Sequence, residues 1–398
     1  MADHYDIMIA GGGIAGLSAA AVFGAAGFRV LCVDPAPPVT DSEADGADLR
    51  TTAILQPGRG VLERCGAWAR LDADAAPLQV MRIIDAGGET PQARVVKEFN
   101  AADISDQPFG WNLPNWLLRK ALVARLDEID TVTFRPGLAA NGLFARDDIA
   151  KVRLSDGTHV QTRLVVAADG RASPMRTAAG IDVTTTRYGQ KALAFAVTHP
   201  IPHESVSTEI HRSGGPFTLV PLPDRDGVPC SAVVWMEDGP VARDLHNMDV
   251  RAFEDAMTDR SCHMLGPLKL ASRRSLWPII SQVADRLSAR RLVLMAEAAH
   301  VVPPIGAQGL NMSLADVSTL LDLATARPDG LGDAQMSDAY DRARRGDIRM
   351  RVQGIDLLNR ASMAGARPLR DARAAGLNAL YAMGPVRKSL MQMGLGVR

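Results

Sequence analysis

The stretch that most constrains this chain is Gly11-Gly12-Gly13-Ile14-Ala15-Gly16, set between an apolar run, Tyr5 to Ala10, and a small-residue segment, Leu17 to Ala26, that ends at Gly27. A second apolar run, Phe28 to Val33, follows. Strand, glycine turn, helix and strand in that order predict a β-α-β unit at the start of the fold. Within the G-x-G-x-x-G spacing, Gly11 permits the tight turn, Gly13 lets a pyrophosphate approach the backbone, and Gly16 lets the helix pack on the sheet. The free N–H groups and dipole of the helix N-terminus favour such an anion. Glycine turns also serve packing alone, so the acidic partner matters. Asp34, about 20 residues on at the end of the second run, is placed to accept from an adenosine ribose hydroxyl.

The apolar start from Ile7 to Ala26 is interrupted by five glycines and reads as strand, turn and helix, not as a membrane span. With 398 residues the chain exceeds one ordinary core and should form two or three packed units. A hydrophobic content of 47% with a formal charge of -1 describes a soluble globular protein and argues against a nucleic-acid partner. Cys32, Cys65, Cys230 and Cys262 form no C-x-x-C pair, and no charged leader precedes the first strand, so a reducing, cytoplasmic setting is expected.

Thr162 to Ala168 and Arg291 to Ala296 have the bulk of strands buried on both faces and should join the sheet of the first unit. Between them, Ala192 to Thr198, Val206 to His211, Phe217 to Pro221 and Cys230 to Met236 alternate between Gly, Pro and Asp turns. That texture predicts an inserted, largely antiparallel sheet. After about Met336 the pattern turns helical, with a basic cluster at Arg342, Arg344, Arg345, Arg349 and Arg351 before Ile355, Leu357, Leu358 and Met363. The fold class is therefore α/β, a Rossmann-like dinucleotide domain with an inserted, mainly antiparallel β-sheet substrate domain and a C-terminal helical region. Residues 1–72, 98–182 and 276–335 are assigned to the first, 73–97 and 183–275 to the second, and 336–398 to the third.

Two further motifs choose the dinucleotide. Asp169-Gly170-Arg171-Ala172-Ser173-Pro174-Met175-Arg176 matches the D-G-x-x-S-x-x-R motif of flavoprotein hydroxylases, although a strand-to-helix turn with an Asp cap and a surface Arg would read the same. The run Glu297-Ala298-Ala299-His300-Val301-Val302-Pro303-Pro304-Ile305-Gly306-Ala307-Gln308-Gly309-Leu310-Asn311 closely resembles the corresponding stretch of p-hydroxybenzoate hydroxylase and its relatives. On these motifs together the chain is identified as a member of the FAD-dependent aromatic-ring monooxygenases. The resemblance implies FAD, with NADH or NADPH as reductant, molecular oxygen as co-substrate, and hydroxylation through a flavin C4a-hydroperoxide. It implies that Asp169 and Gly170 touch FAD and the nicotinamide, that Glu297 binds the ribityl chain, and that the Pro304 carbonyl lies near the substrate hydroxyl as the catalytic candidate. It also implies that the turn Gly306, Gln308, Gly309, Leu310 and Asn311 opens a helix, patterned from Met312 to Ala324, whose N-terminus faces the flavin pyrimidine edge. A helix N-terminus stabilises the negative charge of a reduced flavin without a charged side chain.

Asp48-Leu49-Arg50-Thr51-Thr52-Ala53 resembles the D-x-R-T-x-A segment of ubiquinone hydroxylases and puts Arg50 on the flavin or substrate side. Gly110 to Arg119 falls where relatives have a helix opening behind the flavin, adding Arg119 to the cofactor candidates. Tyr188 to Leu193 and Gly215 to Leu222 also resemble the ubiquinone branch. That branch implies an aromatic substrate carrying a polyprenyl tail. A soluble phenolic acid is the alternative substrate, and a non-catalytic flavin-binding scaffold in a quinone-biosynthesis complex is the alternative role. The chain departs from the family in having Ala296-Glu297 where Gly-Asp is usual; the added methyl and methylene shift the ribityl contact by about an ångström, while Glu still accepts the same hydrogen bond.

A prenyl tail would call for contact with the inner face of a membrane. Leu377, Leu380, Met383, Leu390, Met391, Met393 and Leu395 beside Arg387 and Lys388 offer a surface for that, and helix packing against the body accounts for the same pattern. Packing is the reading preferred. His199 and His203 have metal-like spacing, but Pro200 and Pro202 prevent the helix that would align them, so no metal is assigned. His300 reads as a packed or hydrogen-bonded histidine.

Overall fold

A computed structural model describes residues 4–87, 92–212 and 214–396. Residues 88–91 of the expected segment 73–97, and residues 1–3, 213 and 397–398 of the other segments, lie outside the described residues.

The opening unit is β1 (His4–Ala10), α1 (Ile14–Ala25) and β2 (Val30–Asp34). β1 pairs in parallel with β2 on one side and with the strand His159–Ala167 on the other, and that strand pairs in parallel with Leu292–Leu294. Both later runs expected in this sheet are therefore in it. Every residue of α1 from Ala15 to Gly24 is buried, as a helix of small side chains wedged between a sheet and further helices must be.

A nine-stranded sheet forms the second layer. Its centre is Val183–Thr198, Val228–Asp238 and Pro216–Arg225, paired antiparallel as the alternating texture predicts. The strand Val80–Asp85 joins in parallel with Val206–His211, a pairing of segments distant in sequence. The strand Ser275–Ala284 pairs along Val183–Thr198 in this same sheet, so the expected division at 275/276 cuts its first residue from the rest. Pro278 makes that strand hard to read, since proline weakens a strand pattern; here it sits beside a register shift between Arg187 and Lys191 that absorbs the missing donor.

The period of two divides the central strands into unlike faces. Leu193, Phe195, Val197, Phe217, Leu219, Val233 and Trp235 form a core with the helices Gly239–Asn247 and Val250–Arg260. The other face presents Ala192, Ala194 and Ala196 beside Ala232 and Val234. A three-stranded sheet of Thr51–Leu55, Gly110–Pro114 and Ala76–Leu78 contacts the strand Pro216–Arg225, where Asn112 donates to the Pro221 carbonyl at 2.9 Å.

The helices Gln308–Ala326, Ala334–Met363, Arg367–Ala382 and Gly384–Leu395 complete the chain. The arginine cluster is not a uniform basic surface: Arg344 is buried and Arg351 turns inward, both toward carboxylates. The C-terminal apolar residues are packed only in part, with Leu395 buried and Met383, Leu390 and Met393 exposed.

Candidate cofactor and substrate site

The glycine turn, Asp169-Gly170 and Glu297 follow the C-terminal ends of three adjacent parallel strands, β1, His159–Ala167 and Leu292–Leu294. That edge of a parallel sheet is where ligands bind in folds of this type. Gly11 has φ +110°, and a Cβ there would lie 2.2 Å from the Ala168 carbonyl oxygen; one on Gly16 would lie 1.9 Å from the Gly11 oxygen. A Cβ on Gly13 would meet nothing within 4 Å. Gly11 and Gly16 are thus required by the protein, whereas Gly13 faces open space. Helix α1 has no side-chain cap, which leaves its first N–H groups available to an anion. Asp34 accepts from Gly12 N at 2.6 Å and from Ala36 N at 2.9 Å, which sets its carboxylate at the tip of the second strand. These residues fit a dinucleotide.

Ser173 caps the short helix Pro174–Ala178, accepting from Arg176 N at 2.9 Å, and Asp169 accepts from Met175 N at 3.0 Å and from the Ser173 hydroxyl. Burial pushes its carboxyl above the usual carboxylate range. Arg176 departs from the simple turn reading because it is buried, and it donates to the Ala298 and Arg171 carbonyls at 2.9 Å each. It therefore ties the Asp169 turn to the Glu297 turn.

Glu297 is exposed, and Ala296 before it has φ +53°. The left-handed backbone explains why glycine suits this position; alanine costs about 1 kcal/mol there. Arg50 lies 2.7 Å from Asp48 and 5.4 Å from the centre of the Trp277 ring. Its hydrogen bond to Asp48, aided by the charges of Asp48 and Glu297, holds the guanidinium firmly protonated. Arg119 approaches Asp48 at 3.5 Å, and Asn115 donates to it at 3.0 Å. Burial alone would raise the Asp48 carboxyl, but Arg50, Asn115 and Arg119 hold it below its ordinary value. Two sequence candidates thus converge on Asp48, which organises them.

Pro304 is exposed in the loop that follows the short strand His300–Val301. Gly306 and Ala307 are both left-handed, at φ +64° and +56°, and lead into Gln308–Ala326, which has no side-chain cap. The Asn311 amide accepts from Leu55 N at 2.9 Å and donates to the Ala53 and Ala307 carbonyls at 2.7 Å each. The Gln308 side chain donates to Gly306 O at 2.8 Å and Gly394 O at 3.0 Å, and accepts from Arg351 at 2.6 Å. Both amides are engaged by the protein, so what this turn offers a ligand is backbone N–H at Gly309 and Leu310. Gly309 is exposed, with nothing near its Cβ direction.

Behind both turns runs a buried polar chain that sequence reading missed. His300 lies 2.7 Å from Asp316, which is fully buried and also accepts from Arg344 at 2.7 Å and from Ala296 N at 3.2 Å. Asp347 links Arg344 at 2.8 Å to Arg351 at 2.9 Å. Burial would raise the Asp316 carboxyl, but facing His300 and Arg344 hold it below the usual range. One helix thereby braces the two left-handed alanines, Ala296 through Arg344 and Ala307 through Arg351 and Gln308. The spacing of 344, 347 and 351 on one helical face was the available signal.

Against the small-residue face of the nine-stranded sheet pack Val302 and Ile305 of the Pro304 loop and Ile355 of the long helix, with Trp277 at the border. A dinucleotide edge on one layer and a small-residue face on the other define a flavin-dependent aromatic monooxygenase.

A family model described as the FAD binding domain matches residues 4–353, and the chain belongs to this family of FAD-dependent aromatic hydroxylases. It is 30% identical to ubiquinone hydroxylase UbiL of Rhodospirillum rubrum, over 98% of this chain and 89% of that protein. It is 28% identical to 3-demethoxyubiquinol 3-hydroxylase of Escherichia coli, over 98% of each. Among solved structures, p-nitrophenol 4-monooxygenase PnpA of Pseudomonas putida superposes with a TM-score of 0.79 at 18% identity, covering 100% of this chain and 99% of that one. That likeness bears on the fold.

Proposed function

We propose that this FAD-dependent monooxygenase hydroxylates a polyprenylated phenol in ubiquinone biosynthesis, drawing electrons from NADH or NADPH. The observation that carries the reading is the small-residue face, where Ala192, Ala194, Ala196, Ala232 and Val234 offer small apolar side chains to a ring and the neighbouring Arg50, over Trp277, is already engaged by Asp48. A soluble phenolic acid would call for a buried cation there to hold its carboxylate. The two relatives named for ubiquinone chemistry favour the same substrate class.

In this reading the Gly11–Gly16 turn and α1 hold the pyrophosphate, Asp34 the adenosine ribose, and Glu297, Asp169 and Gly170 the ribityl and nicotinamide side. Arg50 and Arg119, fixed by Asp48, border the ring. Bound FAD supplies the chemistry that activates dioxygen and delivers one of its oxygen atoms to the ring. The backbone N–H groups of Gly309 and Leu310 stabilise negative charge at the flavin edge. Pro304, through its carbonyl, orients the substrate hydroxyl, and the alanine face excludes water.

The tail leaves past the C-terminal helices, where Leu357, Leu358, Leu369, Met383, Val386 and Leu390 are exposed and suit a membrane surface or a neighbouring biosynthetic protein. Among the described residues no helix is long and apolar enough to cross a membrane. Flotation with liposomes tests the contact. For the reaction, NADPH consumption and product should be stimulated by 2-geranylphenol and not by 4-hydroxybenzoate. The reverse preference would establish the phenolic-acid reading, and an FAD-loaded protein inert to both would establish the scaffold.

A further inference from the structure

A linked pair of ionisable side chains stands on the same face as the alanines. Cross-strand register places Ser275, Ala194, Val234, Thr218 and Glu209 in one row across the sheet. His211, two residues on, points to the same side by the period of two. Its Nε2 lies 2.8 Å from a Glu209 carboxylate oxygen, with side-chain exposures of 15% and 10%. Its Nδ1 is buried without a hydrogen-bond partner. A carboxylate this close to one imidazole nitrogen favours the proton on that nitrogen and leaves the other as a lone-pair base. An unpartnered buried nitrogen is costly and calls for a reason.

We propose that His211, oriented by Glu209, is the base that takes the proton of the substrate's ring hydroxyl. The inference rests on the phenol-hydroxylase reading above. The phenol O–H bond breaks with its electron pair staying on oxygen, the Nδ1–H bond forms, and Glu209 balances the imidazolium. No electron is transferred. The resulting phenolate is the more electron-rich acceptor for an electrophilic oxygen atom. The proton leaves to solvent as product departs, through the small exposed part of His211.

Charged groups surround the pair, and among them buried Arg260 keeps its Nε without a hydrogen-bond partner. Asp85, paired with His211 in register, is held by Arg373 at 2.7 Å, and Lys97 lies 4.9 Å over the Tyr381 ring. Arg260 donates to the Ile210 and Gly215 carbonyls, while Glu98 pairs with Arg82. Arg212 adjoins the pair in sequence. Glu209 is thus the carboxylate engaged by the imidazole.

The test uses FAD-loaded protein, NADPH and 2-geranylphenol, with wild type, His211→Asn and Glu209→Gln. His211→Asn should lower kcat roughly 100-fold near pH 7 with KM nearly kept, and its rate should climb about tenfold per pH unit toward the phenol's own ionisation near 10. Glu209→Gln should lose about tenfold. Independently of turnover, 2-geranyl-4-nitrophenol added below its solution ionisation should show the yellow phenolate band on wild type and not on His211→Asn. Wild-type kcat, pH profile and phenolate band in His211→Asn would overturn the proposal. Failure of both variants to fold or hold FAD would overturn it too, by making the pair structural. A wild type inert toward 2-geranylphenol would fail the reading itself, and the proposal with it.

Discussion

Arg351 donates a 2.6 Å hydrogen bond to the side-chain oxygen Oε1 of Gln308, while the nitrogen of the same amide donates to the Gly394 carbonyl. The long helix, the cofactor turn and the last helix are thereby joined at one side chain. Ala307, immediately before Gln308, holds a left-handed conformation that calls for this support, whereas Gly306 adopts its own freely. Arg351→Met keeps the alkyl stem and removes the brace. FAD affinity should fall roughly tenfold, about 1.4 kcal/mol, as read by flavin fluorescence on titration. Unchanged affinity would show that the turn stands unaided.

Gly13 and Gly16 separate binding from folding. Gly16→Ala drives a methyl against the Gly11 carbonyl and should lower the melting temperature of the cofactor-free protein. Gly13→Ala meets no protein atom, so its cofactor-free melting temperature should match wild type while FAD affinity drops at least about tenfold. Equal behaviour of the two variants would remove the pyrophosphate from this turn.

Asp316→Asn removes one of the two carboxylates that hold buried Arg344, leaving Asp347, and should cost about 1.5–3 kcal/mol in urea unfolding. Because the folded Asp316 carboxyl is depressed below the ordinary 3.8, its stabilisation is fully present above that value and is lost as pH falls through the lower folded one. The acid limb of wild-type stability should therefore flatten in the variant. Parallel acid limbs would assign the transition to other carboxylates.

Ala194→Leu places a branched side chain on the small-residue face, opposite Val234 and Ser275. FAD absorption should be kept, while kcat/KM for 2-geranylphenol falls more than about tenfold, with a folding cost of about 1–3 kcal/mol. Undiminished kcat/KM would move the substrate elsewhere.

The legible parts of the molecule were those where chemistry demands residue types at fixed local spacing. The Gly11–Gly16 turn, Asp169-Gly170 and Glu297 each follow the end of a strand, Asp34 ends the next one, and the fold brings them to one sheet edge. Asp316, Arg344 and Arg351 escaped because their pairing depends on how two long helices pack, and alone the arginines look like a basic surface. Gln308 and Asn311 were found as motif members, yet their amides turned out to be occupied by backbone and Arg351, which spacing cannot reveal. Glu209 and His211 lay inside an expected strand, and only cross-strand register puts them on the alanine side. Pro278 hid a strand because its missing donor is absorbed by a register shift far away in sequence.

The unlike faces of the central sheet have an evolutionary consequence. Phe195, Trp235 and Phe217 anchor the domain from one side, so stability is vested in residues turned away from the proposed substrate face. On the opposite face Ala194 and Ala196 carry less of that load than Ala192, which packs with Ile305 and Ile355. With the substrate on that face, as proposed, single exchanges among its small residues would retune which ring is accepted at little cost to the fold, and a lineage could change its diet by point mutation while inheriting the same scaffold.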